Sequence, residues 1–143
     1  REELIPGDGE KTKLSGAEPK GPVRVLVAED HPVNQRMMVK MLEKLGCLVD
    51  TVENGREAVH RVEQVAYDLV LMDCQMPEMD GYTATAEIRK RNGSQGRLPI
   101  VAVTAHAMAE DRERCLKAGM DDYLSKPVQK EDLSAMIKKW VRH

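Results

Sequence analysis

The six residues Asp68-Leu69-Val70-Leu71-Met72-Asp73 hold four consecutive apolar side chains between two carboxylates. A strand with one wet face alternates apolar and polar residues. A run without alternation suits a strand buried on both faces, as in the middle of a parallel sheet. Working outward, short aliphatic or β-branched runs recur at 23–28, 47–52, 100–103 and 122–124. The segments between them carry helical spacing. Val33, Met37, Met41 and Leu45 fall on every fourth position, with Gly46 placed to end that helix. Asn54-Gly55 opens a second helix, Gly119 closes one over 109–118, and Leu133, Met136, Ile137 and Trp140 form the stripe of the last. The methionines at helical spacing are assigned to the core. Strand then helix, five times over with short connections, predicts an α/β fold of three layers, a parallel sheet with helices on both faces.

The composition agrees and narrows the function classes. A chain of 143 residues has room for one ordinary domain, and 41% hydrophobic with 32% charged residues is a soluble balance. No apolar stretch is long enough to span a bilayer, and no export signal is evident. A net charge of -2 argues against a basic nucleic-acid surface. Three cysteines, Cys47, Cys74 and Cys115, are odd in number and far apart, which disfavours a disulfide framework or zinc knuckle and fits a reducing cytoplasm. Residues 1–21 are rich in Gly and Pro and poor in apolar groups, so they read as a flexible linker. The chain starts at Arg rather than Met, which suggests a piece of a longer protein.

Ligands of open parallel sheets bind beyond the carboxyl ends of the strands. The first strand delivers Glu29-Asp30 to that edge, the third Asp73, the fourth Thr104 and the fifth Lys126-Pro127. Random placement would scatter such groups over both ends. Carboxylates a few ångströms apart repel by roughly 1–4 kcal/mol per pair, and Lys126 offsets only one charge. A hard divalent cation is the natural remainder. Mg²⁺ accepts one or two carboxylates and keeps positions for water and a phosphoryl oxygen. A carboxylate beside Mg²⁺ and an ammonium can attack phosphorus to give an aspartyl phosphate, with Thr104 donating a hydrogen bond to the transferred group.

These residues resemble the receiver domain of two-component response regulators. The resemblance covers about residues 22–142 and rests on five stretches in order: Glu29-Asp30, Asp68 to Asp73, Met76-Pro77-Glu78-Met79-Asp80-Gly81, Thr104-Ala105 and Lys126-Pro127. It implies a doubly wound (βα)5 fold of the flavodoxin and chemotaxis-regulator type, with strand order 2-1-3-4-5. It implies Asp73 as phosphoacceptor, with Thr104 and Lys126 gripping the phosphoryl oxygens. Mg²⁺ or Mn²⁺ would be held by Glu29 (mainly through water), Asp30, Asp73 and the main-chain carbonyl of Gln75. Thr104 and Tyr123 would be the switch pair. Glu29-Asp30-His31-Pro32-Val33-Asn34 and Thr104-Ala105-His106-Ala107-Met108 look most like receivers of hybrid sensor histidine kinases. Glu in place of the frequent first Asp of the acidic pair is common in that group.

The implied partner is a histidine kinase or a histidine phosphotransfer domain, with no nucleic acid and no membrane bound by this chain. The implied location is cytoplasmic, compatible with a membrane-anchored parent. Such a domain catalyses its own phosphorylation and dephosphorylation but turns over no free substrate, so this chain is not expected to be an enzyme in the usual sense, although its parent would be a kinase.

Plainer roles stand beside these. Asp30 alone fits a helix cap next to Pro32, and Asp80 before Gly81 reads as the cap of the third helix. Asp68, Asp121 and Asp122 read as solvated charges, His31, His60 and His143 as surface groups, and Cys74 as packing. His106, two residues past Thr104, is a candidate for tuning the attacking water or a plain exposed residue. Pro127 suggests a fixed turn, with a cis bond as an option. Among rivals, a dehalogenase-like aspartyl-phosphate hydrolase needs Asp where Gln75 stands. A flavodoxin-like carrier needs a phosphate loop where Glu29-Asp30 stands. A stand-alone phosphorelay regulator and a docking module that is never phosphorylated remain as alternatives.

Overall fold

A computed structural model describes residues 22–76, 78–92, 98–105 and 109–141. The linker assigned to residues 1–21 lies outside them. Five strands alternate with five helices: β1 (Arg24–Ala28), α1 (Pro32–Lys44), β2 (Leu48–Val52), α2 (Gly55–Gln64), β3 (Leu69–Asp73), α3 (Gly81–Asn92), β4 (Ile100–Thr104), α4 (Ala109–Ala118), β5 (Asp122–Ser125) and α5 (Lys130–Trp140). All strand pairs are parallel, in the order β2-β1-β3-β4-β5. The expected fold class and order hold. Strands β4 and β5 each run one residue past the predicted end and β3 spans Leu69 to Asp73, so Asp73 and Thr104 are the last residues of their strands.

Two apolar layers sandwich the sheet. Leu26, Ala28, Val70, Met72, Ile100 and Ala102 face α2, α3 and α4 through Ala58, Val59, Ala84, Ile88 and Cys115. Val25, Val27, Leu69, Leu71, Val101 and Val103 face α1 and α5 through Met38, Leu42, Leu133 and Ile137. Successive residues of β3 thus feed opposite layers, which is why that strand cannot alternate in polarity. Each fully buried Leu or Val contributes roughly 1.5–3 kcal/mol relative to exposure.

Local signals start and stop the helices. Pro32 occupies the first turn of α1, and Gly46 beyond its end adopts φ +87°. Asn54 caps α2 by accepting from Glu57 N at 2.8 Å. Asp80 caps α3 as expected, accepting from Thr83 N at 2.8 Å. Gly119 ends α4 with φ +105°.

Two expectations fail. The buried stripe of α1 is Met38 and Leu42, whereas Val33 and Met37 are each 48% exposed, so Met37 is not core. The helix carries two overlapping apolar rows, and packing against the sheet selects one of them. Nor are Asp121 and Asp122 solvated charges. Asp68 is exposed, as expected, and accepts from Arg24 N at 2.9 Å. Asp121 accepts from Arg89 Nη2 at 2.8 Å and Ile100 N at 2.9 Å, and Asp122 accepts from Trp140 Nε1 at 3.0 Å and Lys139 Nζ at 2.9 Å. Their partners are 17 to 44 residues away along the chain. The cap role that stood beside metal binding for Asp30 is not realised; the N-cap of α1 is His31, without a side-chain cap bond.

Candidate functional site

The chain leaves β1 toward β2 on one side and reaches β3 on the other, so the order of the sheet reverses between β1 and β3. Ala28 pairs with Met72 across that boundary, so the next residues, Glu29 and Asp73, emerge side by side. Loop crevices of open parallel sheets form at such a reversal because neighbouring connections depart to opposite faces. Carboxylate oxygens of Glu29, Asp30 and Asp73 lie within 4.8 Å of one another there. Glu29 and Asp73 are buried, while Asp30 is exposed.

Each buried carboxylate is held from two sides. Glu29 Oε2 accepts from His31 N at 3.1 Å, and its main-chain oxygen accepts from Gln35 Nε2 at 3.0 Å. Asp73 Oδ1 accepts from Gln75 N at 3.1 Å, which fixes the main chain of the residue expected to offer its carbonyl to a metal. Lys126 Nζ reaches between them, donating to Asp73 Oδ2 at 3.1 Å and lying 3.3 Å from Glu29 Oε1. Glu29 Oε1 is nevertheless buried without a hydrogen-bond partner. Burial pushes the Glu29 carboxyl above its usual range; His31 N–H opposes this, and the Asp73 charge adds to it. Burial pushes the Lys126 ammonium down, but the Asp73 and Glu29 charges outweigh it and raise its value.

These groups suit a hard divalent cation. Three carboxylates gather where one ammonium pairs with two of them, all donors are oxygens, and one buried oxygen lacks a hydrogen bond. Such an ion would supply the charge that the lysine cannot.

Thr104 is buried at the end of β4, and its carbonyl oxygen accepts from Lys126 N at 2.8 Å. Lys126-Pro127 is a cis peptide, the option that the sequence left open. Tyr123 is half-buried in β5 and pairs with Ala102. Alternation along parallel strands therefore places Tyr123, Ala102 and Thr104 on one face of the sheet. Cys74 is buried in packing, as expected. His31 and His60 are exposed; Pro77, His106 and His143 lie outside the described residues.

Two contributors escaped the sequence reading. Gln35, one turn into α1, braces the β1–α1 loop through Glu29 O. Gly81 starts α3 so close to β3 that a Cβ there would strike the Asp73 main-chain oxygen and lie 3.0 Å from Cys74 Cα. The Asp80-Gly81 pair at a helix start was the available signal for that close approach.

Comparison with known proteins agrees with this geometry. Residues 25–138 match the response regulator receiver domain family. The sensor protein GacS of Pseudomonas syringae pv. syringae is 49% identical over 119 residues, covering 82% of this chain and 13% of that protein. The signal transduction histidine-protein kinase BarA of Escherichia coli is 40% identical over 123 residues, covering 86% and 13%. The chain thus spans about an eighth of the length of these relatives. Among solved structures, the receiver domain of sensor histidine kinase PA1611 from Pseudomonas aeruginosa, with magnesium coordinated in its active-site cleft, aligns with TM-score 0.77 at 45% identity, covering 84% of this chain and 98% of that one. The Ssk1 receiver domain, in complex with the phosphotransfer protein Ypd1 of Saccharomyces cerevisiae, aligns with TM-score 0.77 at 32% identity, covering 87% and 92%. No helix among the described residues is long and apolar enough to cross a membrane. With a whole-fold match, five parallel strands in this order and an acidic cluster at the reversal point, the chain belongs to the response regulator receiver domain family.

Proposed function

We propose that this chain is the phosphoacceptor domain of a phosphorelay, part of a hybrid sensor histidine kinase, and that Asp73 takes a phosphoryl group from phosphohistidine. The observation that carries this reading is the bridge of Lys126 between two buried carboxylates, one of which has a buried oxygen in ion-pair contact with the lysine but without a hydrogen bond. A Mg²⁺ or Mn²⁺ ion held by Glu29, Asp30, Asp73 and the Gln75 carbonyl would neutralise charge on the phosphoryl oxygens.

The remaining chemistry belongs to the chain itself. Asp73 is oriented by Gln75 N–H on one oxygen and by the Lys126 ammonium on the other. An Asp73 oxygen attacks phosphorus in line, the new O–P bond forms as the P–N bond breaks, and the imidazole leaves with the electron pair. Lys126 then turns to the transferred oxygens, as does the Thr104 hydroxyl at the neighbouring strand end. Tyr123 shares a sheet face with Thr104, so inward movement of Thr104 opens room for its ring. This converts a charge change at Asp73 into a changed surface around α4 and β5. The partner is a histidine kinase or histidine phosphotransfer domain, in keeping with the Ssk1–Ypd1 complex of a relative, and the location is cytoplasmic.

Intact-mass measurement after incubation with acetyl phosphate tests the proposal. One phosphoryl group is expected only with Mg²⁺ present, and none on Asp73→Asn. Addition to Asp73→Asn at the wild-type level overturns the assignment of Asp73.

A further inference from the structure

Helix α4 sends two arginines onto two tyrosines. The Arg114 guanidinium lies 4.2 Å from the centre of the Tyr82 ring, and that of Arg112 lies 5.4 Å from the centre of the Tyr123 ring. Both rings are half-buried and pack against the buried layer that contains Cys74 and Cys115. Tyr82 belongs to α3. Tyr123 lies on β5, the edge strand of the sheet, where it lines an open cleft with Arg112. Its backbone N–H is engaged by Asp122, but among the described residues nothing hydrogen-bonds its hydroxyl. The guanidinium of Arg112 is therefore the polar group that holds this ring against α4.

We propose that Arg112 is a positioning residue of the switch: it restrains the Tyr123 ring at the cleft and so sets how often the ring leaves that place before phosphorylation. The proposal rests on the reading of Tyr123 as the switch aromatic. A guanidinium over an aromatic face at an exposed site is attractive because the ring quadrupole is negative there, and at such sites it biases a two-state ring by about two- to fivefold. The attraction exists only while the ring lies beneath Arg112. It therefore acts on one conformer and not the other, which is the condition for any group to shift an equilibrium. Arg112 is exposed and touches none of the acidic groups at the reversal point, so its removal leaves the phosphoacceptor chemistry in place.

The test uses the full chain labelled with 3-fluorotyrosine, whose three tyrosines give three ¹⁹F resonances, assigned with Tyr67→Phe, Tyr82→Phe and Tyr123→Phe. Phosphorylation by acetyl phosphate with Mg²⁺, verified by mass, defines where the Tyr123 signal goes on switching. In unphosphorylated Arg112→Met, this signal is expected to move toward that position while the Tyr67 signal stays. Arg112→Lys, which keeps a cation, should recover most of the wild-type position.

The rate of phosphorylation by acetyl phosphate is expected to rise about two- to fivefold in Arg112→Met. It should not rise in a Tyr123→Ala background, where no ring remains to be held. An equal rise in both backgrounds overturns the proposal, as does a Tyr123 signal unmoved in Arg112→Met that still moves on phosphorylation. A Tyr123 signal unmoved by verified phosphorylation overturns the switch reading itself, and the proposal with it.

Discussion

Lys126 and Asp73 stand 53 residues apart in the chain, yet Lys126 Nζ donates to Asp73 Oδ2 at 3.1 Å. The same ammonium lies 3.3 Å from Glu29 Oε1. One partly exposed cation therefore offsets two buried anions, and the site keeps a surplus of negative charge. Removing one partner from such a cluster leaves the rest desolvated without compensation.

The first consequence concerns Lys126 itself. Lys126→Met is expected to lower stability in metal-free buffer at neutral pH by about 1–3 kcal/mol, the cost of stranding buried charged groups. Saturating Mg²⁺ should recover much of the loss. Urea unfolding with and without Mg²⁺ measures both. A deficit that Mg²⁺ leaves unchanged would show that the lysine and the ion do not serve the same charges.

Glu29 should behave in the opposite sense. Burial, reinforced by the Asp73 charge, raises its carboxyl above the usual 4.5. A carboxyl raised on folding contributes stability below its ordinary value, and that contribution is lost as pH rises through the folded value. At neutral pH the ionised group is thus a burden. Glu29→Gln keeps an acceptor for His31 N while removing the charge, and should stabilise the metal-free chain by about 1 kcal/mol. It should also abolish most of the rise in Tm caused by Mg²⁺. Paired thermal melts decide the matter, and a wild-type Mg²⁺ response in the variant would remove Glu29 from the metal set.

Gly81 tests the close approach of α3 to β3. A methyl group there meets the Asp73 main-chain oxygen, which belongs to a strand and cannot swing aside as a side chain would. Gly81→Ala is expected to cost roughly 1–3 kcal/mol and to weaken Mg²⁺ binding through displacement of Asp73. Calorimetric Mg²⁺ titration beside a denaturation curve separates the two effects. Unchanged stability would mean that the loop yields easily.

The thiols should be inert. All three cysteines are buried, and burial pushes Cys74 up to about 12, against a hydrogen bond with Tyr82 that lowers it. At that value roughly one part in ten thousand is thiolate near pH 8. Ellman's reagent should find almost no reactive thiol in the native protein and all three after denaturation. Rapid native labelling of Cys74 would contradict its packing.

Asp122 carries an acid-dependent share of stability. Partial burial pushes its carboxyl up, but hydrogen bonds from Lys139, Trp140 and Tyr123 N outweigh this and hold it below the usual 3.8. A lowered carboxyl contributes stability above its ordinary value, and that contribution is lost as pH falls through the folded value. Asp122→Asn should lose about 1 kcal/mol at neutral pH and lose less than wild type on acidification below about pH 4. Denaturation midpoints across that range, followed by Trp140 fluorescence, provide the check.

The roles of particular residues show how far the chain could be read in advance. Leu69 to Met72 announced a doubly buried strand because only such a strand tolerates apolar residues on both faces. Glu29, Asp30, Asp73, Thr104 and Lys126 could be assigned to one rim because parallel strands all present their carboxyl ends to the same edge. The buried face of α1 was not legible, since Val33-Met37 and Met38-Leu42 are equally apolar rows. Asp121 and Asp122 were equally opaque, because Arg89 and Trp140 reach them only after folding.

Periodicity and strand polarity are properties of short stretches of chain, and they sufficed for the layers, the helix caps and the edge where the charges gather. Distances between groups on different strands are not. That Lys126 reaches both Glu29 and Asp73, that Glu29 Oε1 is left without a hydrogen bond, and that Gly81 lies against Asp73 depend on how β1, β3 and β5 are spaced in the sheet and how α3 seats upon it. Those relations arise when the two apolar layers close and exclude water, because only then do residues far apart in sequence share a low-dielectric space and compete for the same few partners.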